Sequence, residues 1–316
     1  MMTEPLFFAP VFKERIWGGT QLTSFGYEIP SNQTGECWAF AAHQHGQSIV
    51  KNGKYKGLSL GELWEEHREL FGNMEGDRFP LLTKILDANQ DLSVQVHPND
   101  EYANVHENGE LGKTECWYVI DSKEDAEIIY GHHAKTKEEF MTMIKQKEWN
   151  QLLHRVKVKP GDFFYVPSGT VHAIGKGILI LETQQNSDTT YRLYDYDRRD
   201  SEGNLRELHL EKSIDVTEIP FISNQLTVKH EKVDDLSVTN FIKCPYFSVG
   251  KWELDGLASL KQQKGFLLVS VIEGEGELIK DGEHFFFKKG DHFILPNNFG
   301  AYGLVGNTNC IISSLQ

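Results

Sequence analysis

Two imidazoles, a carboxylate and an amide are set into stretches that otherwise read as strands. Gln95 and His97 lie in S-V-Q-V-H-P, Glu115 in K-T-E-C-W-Y-V-I, and His172 in G-D-F-F-Y-V-P-S-G-T-V-H. Side chains alternate across a strand, so Gln95 and His97 face the same way and can reach a single ion. Glu115 opens the apolar run Trp117 to Ile120, and His172 follows a Gly-Asp-aromatic-Pro-Gly turn. Such a donor set suits zinc or a similar divalent metal. Its weakest member is Gln95, because an amide binds metal less well than an imidazole and could orient a water instead. The rival reading is a pair of core histidines and a surface acid. A same-face pair, an acid on a strand and a third donor after a spaced turn agree better with a metal.

Other residues could do chemistry beside such an ion. Lys113 is two residues from Glu115 and shares its face. Arg192 alternates with Tyr191 and Leu193. It would either pair at the surface with Asp195 or Asp197, or turn inward to steady a developing oxyanion or grip a phosphate. Lys84 follows Pro80-Leu81-Leu82 in an apolar strand, where a charge needs a phosphate or an acid as partner. His43 and His45 mimic a metal pair but have no acid near in sequence, so they read as core or surface residues. His132 and His133 read as solvated, and Asp195 to Asp200 as an exposed loop of mixed charge.

The elements that must position these groups are mostly short strands punctuated by Gly, Pro, Asn and Asp. Two segments differ. Ser59 to Phe71 has apolar residues at helical spacing behind a Ser cap, and Thr136 to Ile144 has a Thr cap with Glu139 placed for a capping box. An internal echo organises the rest. Gly161-Asp162-Phe163-Phe164-Tyr165-Val166-Pro167 recurs as Gly290-Asp291-His292-Phe293-Ile294-Leu295-Pro296, a shift of 129 residues. Between Phe266 and Ile279 two strands are expected, and Asp281-Gly282 suits a tight hairpin. The position matching His172 is Ala301, so the second copy has lost a ligand. The expectation is a mainly β protein of two barrel domains with a few inserted or peripheral helices. Residues 1–225 carry the metal, residues 235–316 are structural, and the seam lies near Thr217 to Asp235.

Bulk properties exclude some functions. A net charge of -14 argues against a nucleic-acid groove, while leaving room for a locally basic pocket. No run approaches the ~18 apolar residues of a membrane span, and the N-terminus lacks the basic segment of a signal peptide. The four cysteines are widely separated and read as buried thiols, with Cys116 facing away from Glu115, so a cytoplasmic protein is expected.

At these residues the chain resembles a cupin, and more narrowly a type I mannose-6-phosphate isomerase of the compact bacterial form. The stretch from Gly161 through Pro167 and Gly169 to His172 is similar to the second cupin motif, apart from its final Asn. Gln95-x-His97 stands where many cupins have His-x-His, a variant typical of the isomerases. Trp17-Gly18-Gly19, Gly35-Glu36-Cys37-Trp38, Pro80 to Lys84, Lys113-Thr114-Glu115 and Asn186-Ser187-Asp188 leading to Arg192 also match, in the expected order. The resemblance implies two cupin-type jelly rolls and one zinc ion held by Gln95, His97, Glu115 and His172. It further implies interconversion of mannose 6-phosphate and fructose 6-phosphate, with Arg192, Lys113, Glu182 and Asp188 catalytic and Ser93 and Lys84 binding substrate. The proton carrier stays open among Lys113, Glu182 and a metal-bound water. The partner implied is a small phosphorylated sugar, taken by a monomer or small homo-oligomer. Two rivals are a non-catalytic sugar-phosphate-binding cupin and another metal-dependent cupin enzyme, such as an iron dioxygenase.

Overall fold

Antiparallel strands are the main regular element of the computed structural model, which describes residues 4–199 and 203–315. Six strands form one sheet, in the spatial order Phe163–Val166, Glu115–Ser122, Ile178–Gln185, Leu81–Ala88, Thr34–Phe40 and Val11–Gly19. Five form a second, in the order Leu153–Lys157, Glu127–His132, His172–Ile174, Val94–Val96 and Tyr191–Tyr194. The fold is mainly β and of jelly-roll type.

The central strands Leu81–Ala88 and Ile178–Gln185 are buried along their whole length. Both faces of the six-stranded sheet are covered, so even its polar residues Thr83, Lys84, Asp87, Glu182 and Gln184 are buried. Cys116, Tyr118, Leu179, Leu181 and Ile85 face one core, while Trp117, Val119, Ile178, Ile180 and Leu86 face another. Glu115 belongs to the second face by alternation, so Cys116 does point away from it. All four cysteines are buried free thiols.

The third sheet has nine strands from the C-terminal half and the N-terminus. Leu6–Ala9 pairs with His292–Leu295 and with Ile49–Val50, so the first strand of the chain extends the sheet built by residues 229–314. No helix or strand lies between Thr217 and Val228. The repeated turn holds in detail. Gly161 and Gly290 have φ of +94° and +92°, a region that favours glycine, and Asp162 and Asp291 each accept from the backbone three residues earlier at 2.9 Å.

Some local expectations change. The Ser59 helix runs Leu60–Glu66 with a full capping box, but His67 breaks it and Arg68–Phe71 continues as a 3-10 turn that buries Leu70 and Phe71. Thr136 caps Lys137–Lys145, whereas the Glu139 carboxylate accepts from Lys135 N and not from its cap. The two strands expected around Phe266 to Ile279 are one long strand, Leu267–Lys280, with a bulge between Val271 and Glu273. No helix among the described residues is long and apolar enough to cross a membrane.

Candidate active site

The cross-strand register explains how residues far apart in sequence meet. Gln95 pairs directly with His172 on one side and with Arg192 on the other, so the three share one face of the five-stranded sheet. On the six-stranded sheet the row Trp117, Glu182, Lys84, Trp38 crosses four neighbouring strands. Both rows line one cavity, together with Ser93, Lys113, Glu115 and Asp188.

At its floor the ligand atoms of His97, Glu115 and His172 all lie within 4.8 Å of one another. His97 Nε2 is 3.4 Å from one Glu115 oxygen and His172 Nε2 is 3.3 Å from the other. Each imidazole donates its Nδ1–H to a backbone carbonyl, His97 to Thr189 at 2.8 Å and His172 to Thr170 at 2.9 Å. That fixes the tautomer with both Nε2 lone pairs aimed at a common centre, as metal-ligating histidines require. The Gln95 amide nitrogen is 3.3 Å from His172 Nε2, so half a turn of the amide presents its oxygen there instead. The Lys113 ammonium stands among these lone pairs, donating to Glu115 Oε2 and, at 3.0 Å, to His97 Nε2. A cation among two imidazoles and a carboxylate is what the donor set accommodates.

Burial sets the electrostatics. It lowers His97 to about 3, helped by the Lys113 charge, and lowers His172 as well. Burial alone would raise Glu115, but Lys113, His172 and His97 outweigh it and hold the carboxyl well below the usual range. Burial works against the Lys113 charge, yet Glu115 and Glu182 keep its pKa raised. Glu182 is raised by burial and by Glu115, against the pull of Lys113 and Lys84. Trp117 Nε1 donates to both Glu115 and Glu182 at 3.0 Å, tying the two carboxylates into one network.

The remaining expectations sort clearly. Lys84 finds an acid partner, Glu182 at 3.4 Å. Ser93 lies beside the donor set, its hydroxyl 3.5 Å from Gln95 Oε1. Among the described residues Arg192 makes no ion pair with Asp195 or Asp197; its Nη1 donates to Glu207 O at 2.8 Å, and its buried Nε has no hydrogen-bond partner there. Asp195 is buried, contrary to the exposed loop expected, because it accepts from Arg198 at 2.5 Å and Arg206 at 3.4 Å. Asp200 lies outside the described residues. His132 is buried too, its Nε2 hydrogen-bonded to Glu218 O.

Sequence reasoning missed an acid beside His43 and His45. Asp188 arrives from 143 residues away and accepts from His45 Nδ1 at 2.7 Å, with His43 Nε2 at 3.7 Å. It also passed over Trp117, Arg15, Glu36 and Arg206, all of which line the cavity. Glu36 was findable, since alternation in Gly35-Glu36-Cys37-Trp38 puts it on the face of Trp38, whose Nε1 it accepts at 2.5 Å. Arg206 had no such signal, because it sits in a loop.

Comparison with known proteins adds a separate line. Residues 6–120 match the family model for the phosphomannose isomerase type I catalytic domain, and residues 237–315 that for the mannose-6-phosphate isomerase cupin domain. The chain is 73% identical to mannose-6-phosphate isomerase ManA of Bacillus subtilis, over the full length of both. It is 55% identical to a mannose-6-phosphate isomerase of Streptococcus mutans, over 99% of this chain and 98% of the relative. A crystal structure of a Bacillus subtilis mannose 6-phosphate isomerase superposes with a TM-score of 0.96 at 55% identity, covering 98% of this chain and 99% of that one. A phosphomannose isomerase from Salmonella typhimurium shares the fold at 17% identity, with a TM-score of 0.78 over 99% of this chain and 100% of the other. With such identity over its whole length, the chain belongs to the type I phosphomannose isomerase family.

Proposed function

We propose that this chain is a zinc-dependent aldose–ketose isomerase that interconverts mannose 6-phosphate and fructose 6-phosphate through a cis-enediol. The observation that carries this reading is the convergence of two tautomer-fixed imidazoles and a carboxylate at a cavity that Glu115, His172, Glu182, Lys84 and Arg192 line. Gln95, His97, Glu115 and His172 would hold the zinc, a donor set that suits this ion. Once bound, the ion would supply Lewis acidity toward the substrate oxygens.

The chain's own residues do the rest. Lys113 stays protonated at neutral pH because its pKa is raised, so it serves as a cation and not as the base. Glu182 has a raised pKa and is therefore the stronger base of the two carboxylates flanking Trp117. In this mechanism Glu182 takes the C2 proton of the open-chain aldose, the released pair forms the C1–C2 double bond and the C1 carbonyl pair moves onto O1. A proton then passes from O2 to O1, and Glu182, its proton exchanging with solvent, protonates C1 as the O2 pair re-forms the carbonyl at C2. Arg192 and Lys113 stabilise the negative charge that develops on the oxygens. Asp188, hydrogen-bonded to His45 at the rim, is placed to exchange protons with the ring and anomeric oxygens during opening. Ser93 and Lys84 bind the substrate from the cavity wall. Catalysis belongs to residues 1–225, with residues 235–316 forming a cupin unit without metal. Four free buried thiols suit a cytoplasmic enzyme.

The test is solvent proton exchange at C2 of mannose 6-phosphate, followed by NMR in heavy water. Deuterium should enter as fructose 6-phosphate appears, both should stop with chelator, and both should return with zinc. Full turnover in metal-free protein would refute zinc dependence. Binding without exchange would favour a sensor, and oxygen consumption an oxidative cupin.

A further inference from the structure

Arginines crowd one end of the cavity. Lys84 and Lys113 are tied at the floor to Glu182 and Glu115, whereas Arg15 and Arg206 lie nearer solvent, their side chains 38% and 25% exposed. Among the described residues five cationic side chains face the cavity against four carboxylates, on a chain whose net charge is -14. A local excess of positive charge on an acidic protein selects an anion.

The topology says which end this is. Tyr191 pairs with Val96 and Tyr194 with Val94, so the chain beyond Tyr194 runs toward Ser93 and away from His97. There Arg198 donates to Asp91 O at 2.5 Å and shares Asp195 with Arg206. The loop bearing Arg206 is anchored by Arg192 in three ways: its side chain donates to Glu207 O, its carbonyl accepts from His209 N at 2.8 Å, and its N–H donates to His209 Nδ1 at 3.1 Å. Arg15 reaches the same region from the strand Val11–Gly19, whose Trp17 packs in one core with Leu92. Its Nε donates to Glu36 at 2.7 Å and its Nη1 to Glu14 O at 3.2 Å. Burial lowers the pKa of Arg206, as does the repulsion of Arg192, Arg198 and Arg15, with Asp195 the acid that opposes them. Asp188 and His45 mark the opposite end.

We infer that Arg206 and Arg15 form the phosphate grip of this enzyme, clasping the phosphoryl group at the Ser93 end while the reacting carbons lie at the histidine–glutamate floor. This rests on the isomerase reading above and adds to it the residues that recognise the phosphate. Guanidinium forks match phosphate oxygens in pairs, which an ammonium cannot do.

The test compares wild type with Arg206→Ala and Arg206→Lys, all zinc-loaded. For Arg206→Ala, KM for mannose 6-phosphate should rise about 10- to 100-fold with kcat changed only a few-fold, as befits one charge-assisted contact. The ratio of kcat/KM for mannose 6-phosphate to that for unphosphorylated mannose should fall by a similar factor. Inorganic phosphate, measured by calorimetry, should bind correspondingly more weakly, and Arg206→Lys should recover part of the loss. Equal losses on both sugars, a loss confined to kcat, or phosphate binding as tight as in wild type would overturn the grip. A wild type inactive on mannose 6-phosphate would sink the isomerase reading instead, and phosphate calorimetry on wild type and variant would still decide the grip.

Discussion

Replacing Lys113 with methionine separates what this ammonium does for folding from what a metal would do. The stem volume is nearly kept, but the charge that compensates Glu115 is lost. Both side chains are essentially buried, at 5% and 1% exposure, so the carboxylate left behind has no water to turn to. Breaking a buried pair by removing one partner costs about 3–5 kcal/mol. In chelated protein the variant should therefore melt roughly 4–8 °C below wild type, taking about 1.5 °C per kcal/mol for a chain of this size. Zinc reverses the comparison, because the ion supplies the missing charge and no longer has to displace an ammonium from His97 and Glu115. The variant should gain more stability from zinc than wild type does, and by linkage should bind it more tightly. Calorimetric melts with chelator and with stoichiometric zinc, plus a zinc titration, measure both quantities. Equal melting temperatures under chelator, or equal gains from zinc, would refute the idea that ammonium and metal compete for one set of lone pairs.

Other outcomes follow from the same geometry. His97→Ala or His172→Ala should lose zinc and turnover together, read by elemental analysis and a coupled assay, since each removes a donor whose tautomer is fixed. Arg192→Met should lower kcat by about 100-fold or more with zinc content unchanged, as loss of an oxyanion-stabilising donor does; a few-fold effect would return Arg192 to a structural role. His292, buried between Tyr27 and Ser270, is lowered from 6.5 to about 3 by burial and by Lys51. Its neutral form is the folded one, so its contribution is present above the unfolded pKa and is lost as pH falls from about 6.5 toward 3. The slope is up to about 1.4 kcal/mol per pH unit, and His292→Asn should flatten stability against pH by that amount.

What sequence made legible were residues whose neighbours impose a strict period. Gln95 and His97 could be placed on one face because extended backbone alternates, although the strand Val94–Val96 ends one residue before His97, and the same alternation turns Cys116 away from Glu115. The Ser59 and Thr136 caps were readable because side-chain oxygen to backbone N–H geometry is local. Failures came where a long-range partner decided the outcome. Nothing near His43 and His45 announces Asp188, and although Arg198 lies three residues from Asp195, the spacing does not say that Arg206 would join it on the same carboxylate. His132 and His133 read as solvated because they point to opposite faces of a strand, yet His132 is covered by Phe140 of the helix that follows and by Phe221.

The two copies of the Gly-Asp turn show why an echo in sequence foretells architecture better than chemistry. Asp162 and Asp291 accept the same backbone hydrogen bond at the same 2.9 Å, and Gly161 and Gly290 share one left-handed conformation. That turn is complete within a few residues, so duplication preserves it wherever the strands that follow must enter a sheet. A donor set is different in kind, because it needs one residue from each of several strands in register. Gln95, His172 and Arg192 align only because three strands pair at those positions, and Glu115 must then face them from another sheet. In the second copy Ala301, at the position of His172, is exposed on its strand, and the interior is filled by Phe293, Phe299 and Leu304. A single substitution there could not restore a metal site, since every other donor and its register would be lacking. The turn recurs because it is local, and a donor set is not carried along with it because its members come from separate strands.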